Sequence, residues 1–325
     1  MIVHRSSLPT GSLGHYDAAV IGGGFAGIAA AAAMARSGAK VALLEPTGTL
    51  GREMVRSRNI FLDVPKHTAT SKAMKQFEEA LVNRKGLFAG AVDPNCAALA
   101  FDDMMEAMGV EVWFHTCPAE LLLTEGNVTG LRVATRSGYA SLTCARVIDA
   151  SVSAKTARQL DQAVSLPVQR DTATLHVLFN ETDLVERQET TVALPAHLGS
   201  EAVITARPTY WPKEADVAIR FQGLSEPASR GELLLELEPV LDELRRFIPD
   251  VCSGVLSHIA DELWALPPFT ISGGDESSGL IGAGLWLHGL PAAAWSEEET
   301  LANLFVLGEA AAEKACAKPG TVLKK

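Results

Sequence analysis

A chain of 325 residues, 47% hydrophobic and 21% charged, has the apolar content for one large core or two modest ones, which excludes a disordered polypeptide. Its net charge of −11 repels phosphate backbones, and its densest basic cluster is only Arg52, Arg56 and Arg58. A nucleic-acid partner is therefore not expected.

Met1 to His15 reads as a flexible polar tail. Asp17 to Ile21 is a short apolar run suited to a buried parallel strand. A glycine cluster follows, then an alanine-rich helix to Ser37, with Gly38 as its stop and Lys40 to Glu45 as a second buried strand. Thr47 to His67 is irregular. Helical patterns cover Thr70 to Val82 and Asn95 to Met108, and Val110 to His115 is a strand. Gly126-Asn127 marks a hairpin turn between strands at Ala119 to Thr124 and Val128 to Ser137, and Ala140 to Ala150 ends in another apolar run.

From Ser151 to Pro268 the character shifts. Alternation at Thr172 to Phe179, Ala202 to Ala206 and Asp216 to Phe221 predicts an antiparallel sheet, and Glu232 to Phe247 an amphipathic helix. Ser272 to Gly279 reads as a loop and Gly282 to His288 as a strand. Asn303 to Leu307 reads as a strand leading into Gly308-Glu309 and a final helix. The predicted architecture is α/β: a Rossmann-like domain from residues 16–151 and 271–325, with an inserted α+β domain, antiparallel sheet plus helices, at 152–270.

The sharpest motif is Gly22-Gly23-Gly24-Phe25-Ala26-Gly27, a G-x-G-x-x-G placed between a strand and a helix. Gly22 permits the tight turn, Gly24 lets the backbone approach a pyrophosphate, and Gly27 lets the helix pack closely on the strand. The unpaired N–H groups of the first helical turn, at Phe25 and Ala26, suit a diphosphate. Glu45 ends the next strand 18 residues beyond Gly27, where an acid accepts hydrogen bonds from both adenosine ribose hydroxyls and repels a 2′-phosphate.

With these residues the chain resembles the FAD-dependent oxidoreductases of the glutathione-reductase-like, two-dinucleotide-binding-domain superfamily. Within it, the resemblance is nearest to the branch of fumarate reductase flavoprotein subunits, aspartate oxidase and general FAD-dependent oxidoreductases. The resemblance implies FAD as cofactor and further roles. Pro46 to Arg52 would cross the flavin pyrophosphate, Arg52 meeting phosphate. The strand at Ala119 would offer backbone groups to adenine. Ala150 lies in a turn that is usually Ala-Thr-Gly; here Ala-Ser-Val lacks the glycine. Gly308-Glu309 would be the closing motif, its acid on a ribityl hydroxyl.

Catalytic groups are harder to place. His258 lies before Pro267-Pro268, near where relatives bring substrate residues to the flavin, and His288 follows the predicted strand at Gly284 to Leu287. Tyr210, Trp211 and Arg220 are candidate pocket residues. Dicarboxylate chemistry is disfavoured, because Phe269 to Gly274 lacks the histidine expected there.

The expected function is hydride or electron transfer between a small organic substrate and flavin N5. The alternatives are a non-catalytic or electron-relaying subunit of a larger complex, and an NAD-only binding protein. A partner subunit or a homo-oligomer stays open. Five scattered cysteines, never spaced C-x-x-C, predict no disulfide framework and no metal site. No apolar run is long enough to span a bilayer and Met1 to Gly14 lacks a signal-peptide core, so the expected location is the cytoplasm.

Overall fold

The computed structural model describes residues 11–62, 71–160, 164–165, 172–193, 200–224, 229–235, 237–264, 270–271, 278–284, 286–287 and 297–317. In chain order the first domain contributes β1 (Gly11–His15), β2 (Ala18–Ile21), α1 (Phe25–Arg36), β3 (Val41–Glu45), α2 (Arg52–Val55) and α3 (Lys72–Asn83). After the short pair β4 (Leu87–Phe88) and β5 (Ala91–Val92) come α4 (Pro94–Ala107), β6 (Glu111–Phe114), β7 (Cys117–Thr124), β8 (Asn127–Thr135), β9 (Gly138–Thr143) and β10 (Arg146–Asp149). The middle of the chain holds β11 (Val164–Ser165), β12 (Ala173–Asn180), β13 (Gln188–Ala193), β14 (Glu201–Pro208) and β15 (Glu214–Gln222). It continues with α5 (Arg230–Leu235), α6 (Leu237–Phe247), α7 (Pro249–Cys252), β16 (Val255–Ile259) and β17 (Thr270–Ile271), and the chain ends with β18 (Leu280–Gly282) and α8 (Glu297–Cys316).

Strands β18-β10-β2-β3-β6 form a parallel sheet in that order. Side-chain alternation divides it between two cores. Ala18, Val20, Val41, Leu43 and Ile148 face α1, α3, α4 and α8, in a core that includes an aromatic cluster of Phe25, Phe77, Phe101 and Phe305. Ala19, Ile21, Ala42, Leu44 and Val147 pack on Leu121, Leu131, Val133 and Leu142 of a second sheet, ordered β1-β9-β8-β7. The three layers are helices, parallel sheet and meander. Residues 11–15, expected within a tail, instead form β1, paired in parallel with β9. The unpaired N–H and C=O groups of the β9 edge accept a fourth strand whatever its side chains.

The chain leaves the parallel sheet after β10, builds a five-stranded antiparallel sheet, β13-β14-β15-β12-β16, and returns at β18. One face of that sheet carries Leu175, Val177, Phe179, Ile204, Val217 and Ile219 and packs on Leu233, Leu237, Val240, Leu241 and Leu244 of α5 and α6. The other face is polar: Thr174 and His176 on β12, Thr205 and Arg207 on β14, Asp216 and Arg220 on β15.

Arg52 of α2 and Arg56, the residue just after it, fasten the two domains. Both pair with Glu262, and Arg56 also reaches Asp261 at 3.6 Å. At the far end of the sheet the Trp211 indole donates to Asp93 at 3.0 Å and the Tyr210 hydroxyl donates to the Lys85 carbonyl. Tyr210 and Trp211, expected in a pocket, therefore act as a clamp on the start of α4.

Candidate active site

The glycine loop connects β2 to α1 as the motif requires. Gly22 has φ of +95°, a conformation costly for any residue with a Cβ. A Cβ on Gly27 would collide with the Gly22 carbonyl, so the loop and the first turn of α1 are in contact through backbone alone. Ala150 belongs to this turn: its N–H donates to the Ile21 carbonyl at 2.9 Å, and its own carbonyl lies over Gly22. The missing glycine after it is replaced by a side-chain device. The buried Asp149 carboxylate accepts from Ser151 N–H (3.0 Å) and Oγ (2.6 Å) and from Thr156 and Ala157 N–H (both 2.9 Å). Burial raises its pKa and these bonds oppose the rise.

Glu45 closes β3 with its carboxylate against the loop, accepting from Gly23 N–H and Thr47 N–H, both at 2.7 Å. Pro46 is exposed at the start of the following segment. That segment folds back over the loop: Gly51 N–H donates to the Gly23 carbonyl at 2.8 Å, and the buried Leu50 side chain lies on Gly23. It also delivers a residue that sequence reading passed over. The Glu53 carboxylate lies against Gly24 and accepts from Phe25 N–H at 3.0 Å, on the first turn of α1. Burial is the largest influence and raises the Glu53 pKa; Arg52 and the backbone bonds lower it, and Glu45 raises it further.

Other expected contacts fall elsewhere. Arg52, expected on phosphate, is held by Glu262 and reaches the Leu263 carbonyl at 3.5 Å. Ala119 lies in β7 with its carbonyl accepting from Gln159 at 3.3 Å. Phe25 offers its backbone N–H to the Glu53 carboxylate while its ring is buried in the aromatic cluster, stacked on Phe305 at 4.6 Å.

The Gly308-Glu309 expectation is overturned. Residues 303–309 are not a strand and a turn but the middle of α8, which packs along α1. Gly308 is small because α8 crosses α1 there: a Cβ would meet the Ala26 carbonyl. Glu309 pairs with Arg36 at 2.8 Å and accepts from Lys72 and Ala73 N–H at 3.2 and 3.0 Å, capping α3. The strand-to-helix passage that returns to the parallel sheet is β18 followed by Ala283, whose N–H donates to the Asp149 carbonyl at 2.9 Å. No acid stands at that position. Beyond it the buried Trp286 indole lies against Gly284 and donates to the Ser151 carbonyl at 2.7 Å.

The polar face of the antiparallel sheet bounds a cavity of about 230 Å³, closed on the first-domain side by Asn59 and Phe61. Asn59 belongs to the same segment as Glu53, to whose carbonyl its N–H donates at 3.1 Å. His176 and Asp216, each 2% exposed, form a buried pair, with Nδ1 at 3.0 and 3.2 Å from the two carboxylate oxygens. Arg220 lines the cavity, as do Arg187 and Arg207. The Arg207 guanidinium lies over the Phe61 ring at 4.7 Å, and Arg187 pairs with Glu189 at 2.8 Å. Among the described residues, the buried Asn59 side-chain nitrogen has no hydrogen-bond partner.

His258 pairs across from Leu178, as Asp216 does on the other side, so it shares the polar face. It is half-buried on the edge strand and outside the cavity lining. Burial first, then Arg58 and Arg230, hold its pKa below the usual imidazole value, with Asp261 opposing. His288 lies outside the described residues.

A parallel sheet with a glycine loop at a strand-to-helix turn, an acid on the neighbouring strand and a second, antiparallel sheet over it defines the two-domain architecture of flavin enzymes. Residues 17–217 match the FAD dependent oxidoreductase family, and the chain belongs to it. It is an oxidoreductase of the flavin class, and its cofactor is FAD.

The fold is shared with a geranylgeranyl bacteriochlorophyll reductase-like protein from Thermoplasma acidophilum (16% identity, TM-score 0.64, 93% of this chain and 78% of that one). It is also shared with glycine oxidase from Bacillus cereus (15%, 0.59, 94% and 96%) and with p-nitrophenol 4-monooxygenase from Pseudomonas putida (12%, 0.63, 94% and 80%). No protein of curated function matches the sequence. Among the described residues, no helix is long and apolar enough to cross a membrane.

The residues present fit the nucleotide half of FAD. The first turn of α1 is an anion seat in fact as well as in principle, because it already holds the Glu53 carboxylate, which stands in for a phosphate oxygen. A diphosphate bound at that turn would meet the Glu53 carboxylate at Phe25 N–H.

Proposed function

We propose that the chain transfers a hydride or electrons between flavin N5 and a small organic substrate held between Asn59-Phe61 and the antiparallel sheet. One observation carries this reading: a His-Asp pair is buried on the polar face of that sheet, at a cavity walled by the segment after α2, which bonds back to the glycine loop through Gly51 and Gly23. FAD, when bound, supplies the redox chemistry. The protein's part is to orient the substrate, exclude water and manage a proton. The Asp216 carboxylate fixes the His176 ring through Nδ1, leaving Nε2 as the nitrogen that takes or gives a proton. His258, on the same face, is a weaker candidate for that role.

The experiment is anaerobic reduction of the FAD-loaded protein by a panel of small organic donors, followed by bleaching of the flavin absorbance. A substrate should reduce His176→Gln at least a hundredfold more slowly than wild type, with FAD retention unchanged. Equal rates would remove His176 from the proposed role. Placement within the fumarate-reductase-like branch is supported by the glycine loop, Glu45 and the order of β6 to β10; Gly308-Glu309 no longer supports it. A second reading, a non-catalytic or electron-relaying subunit, is favoured by Glu53 on the diphosphate seat. It predicts no bleaching by any donor and co-purification with a partner.

A further inference from the structure

The segment after α2 runs against the β4–β5 hairpin in the manner of a third strand. Val92 N–H donates to the Ile60 carbonyl and Leu62 N–H to the Gly90 carbonyl, both at 2.9 Å, and Phe61 bridges to Ala91. Ala91 in turn pairs with Phe88. Residues directly opposite one another share a face of a sheet. Phe61, Ala91 and Phe88 therefore form one cross-strand row, two rings with a methyl group between them. All three line a cavity of about 530 Å³, which adjoins the one beside His176 at Phe61. The hairpin turns through Ala89 and Gly90, at φ of +48° and +82°. That conformation is costly for alanine, yet the turn it makes leaves Phe88 65% exposed. Val185, 85% exposed, faces the row from the second domain.

We infer that this row is a slot for an uncharged aromatic group, the body of a substrate whose reacting end lies beyond Phe61 toward His176. The inference rests on the substrate site proposed above and names its ligand class. Directly opposite residues of antiparallel strands stand about 5 Å apart, so two such steps root the Phe61 and Phe88 side chains roughly 10 Å apart. A ring lying over Ala91 is then about 5 Å from each, within the roughly 4.5–7 Å at which aromatic pairs attract beyond their area of contact. The volume falls inside the roughly 300–1,000 Å³ of most small-molecule sites. Among the described residues no carboxylate lines the cavity. Both of its arginines are engaged, Arg187 with Glu189 at 2.8 Å and Arg207 with the Phe61 ring among its partners. An ionic ligand would leave water for an apolar wall with no charge set aside to receive it, which disfavours it against a neutral one.

The test is calorimetric titration of the FAD-loaded protein with 4-phenylbutan-1-ol, 4-cyclohexylbutan-1-ol, 4-phenylbutyrate and 4-phenylbutylamine. The phenyl alcohol should bind at least threefold more tightly than the cyclohexyl alcohol and at least tenfold more tightly than either ion. Phe88→Ser and Val185→Ser, at exposed positions where folding is not at risk, should each weaken the phenyl alcohol at least threefold. Phe247→Ser, exposed on α6 and outside the cavity lining, should leave it unchanged. Equal binding of the two alcohols overturns the inference, as does an ion that binds as tightly as the phenyl alcohol. So does undiminished binding in both cavity variants, an equal loss in Phe247→Ser, or no binding of the phenyl alcohol to wild type. The heat of binding is read without turnover. Failure of every donor to bleach the flavin would therefore count against the substrate reading and not against the slot.

Discussion

Replacing Glu53 with Gln should tighten FAD binding, because it neutralises the one carboxylate that occupies the seat of the diphosphate. In wild type the Phe25 N–H donates to a buried carboxylate at 3.0 Å, a charge-assisted bond of roughly 1.5–3 kcal/mol that FAD must break. Glutamine keeps the shape and a neutral acceptor of roughly 0.5–1.5 kcal/mol, so the competitor weakens by about 1–2 kcal/mol. That corresponds to about a 5- to 30-fold gain in FAD affinity. The measurement is quenching of flavin fluorescence on titration with protein, with adenosine, which carries no phosphate, as a competitor that should displace FAD through an affinity equal in both proteins. The pH dependence carries its own sign. Burial raises the Glu53 pKa, with Arg52 opposing and Glu45 assisting. Below that raised value the carboxyl is neutral and competes weakly; as pH climbs through it, the carboxylate forms and FAD affinity falls. The Gln variant should show no such fall. If it binds FAD no better than wild type, Glu53 is a support of the FAD-bound loop and not a competitor.

Glu309→Ala leaves the Ser71 cap of α3 but removes the acceptor of Lys72 and Ala73 N–H and the Arg36 pair, and thermal denaturation should register about 0.5–1.5 kcal/mol lost, with FAD affinity unchanged; a large drop in affinity would restore the ribityl role. Gly308→Ala forces α8 from the Ala26 backbone at the base of the glycine loop, so stability should fall by about 1–3 kcal/mol and FAD affinity should fall with it. Asp149→Ala strands the buried N–H groups of Thr156 and Ala157 and the half-buried one of Ser151 beside Gly22, a loss of about 3 kcal/mol or more in denaturant titration.

The glycine loop, Glu45 and the parallel strands were legible in sequence because each depends on local pattern: glycine where backbone meets backbone, a continuous apolar run where a strand is buried on both faces. Alternation in β12 and β15 also marked which residues turn from the hydrophobic core. It did not reveal what covers them. That Thr174, His176 and Asp216 face a cavity and not solvent depends on Asn59 and Phe61, brought there by the fold of a segment more than 100 residues upstream. Glu53 was hidden for the same reason, since its contact with Phe25 exists only once Gly51 has bonded to Gly23. The run Asn303 to Leu307 misled because the four apolar residues after Asn303 suit a strand or one side of a buried helix. Length decides between them, and the 20 residues of α8 belong to a helix.

The corrected assignments have a common direction. The resemblance placed a carboxylate at the polyol arm of the flavin and a cation at its diphosphate. In the folded chain the strand that could deliver the first ends in Gly282-Ala283, and the cation, Arg52, is spent on Glu262 at the junction between domains. The acid that does reach the glycine loop, Glu53, sits where negative charge has to enter. Each departure leaves the strand order and the turn at Gly22 as the motif requires, which is why family membership is legible in the sequence although these contacts are not the expected ones. At the domain junction Arg52 and Arg56 fix Glu262, and with it the edge of the sheet that carries His176, against the segment that carries Glu53 and Asn59. Arg52 and Glu53 are neighbours on α2, so the residue that bonds the first turn of α1 and the residue that fixes Glu262 belong to one short helix.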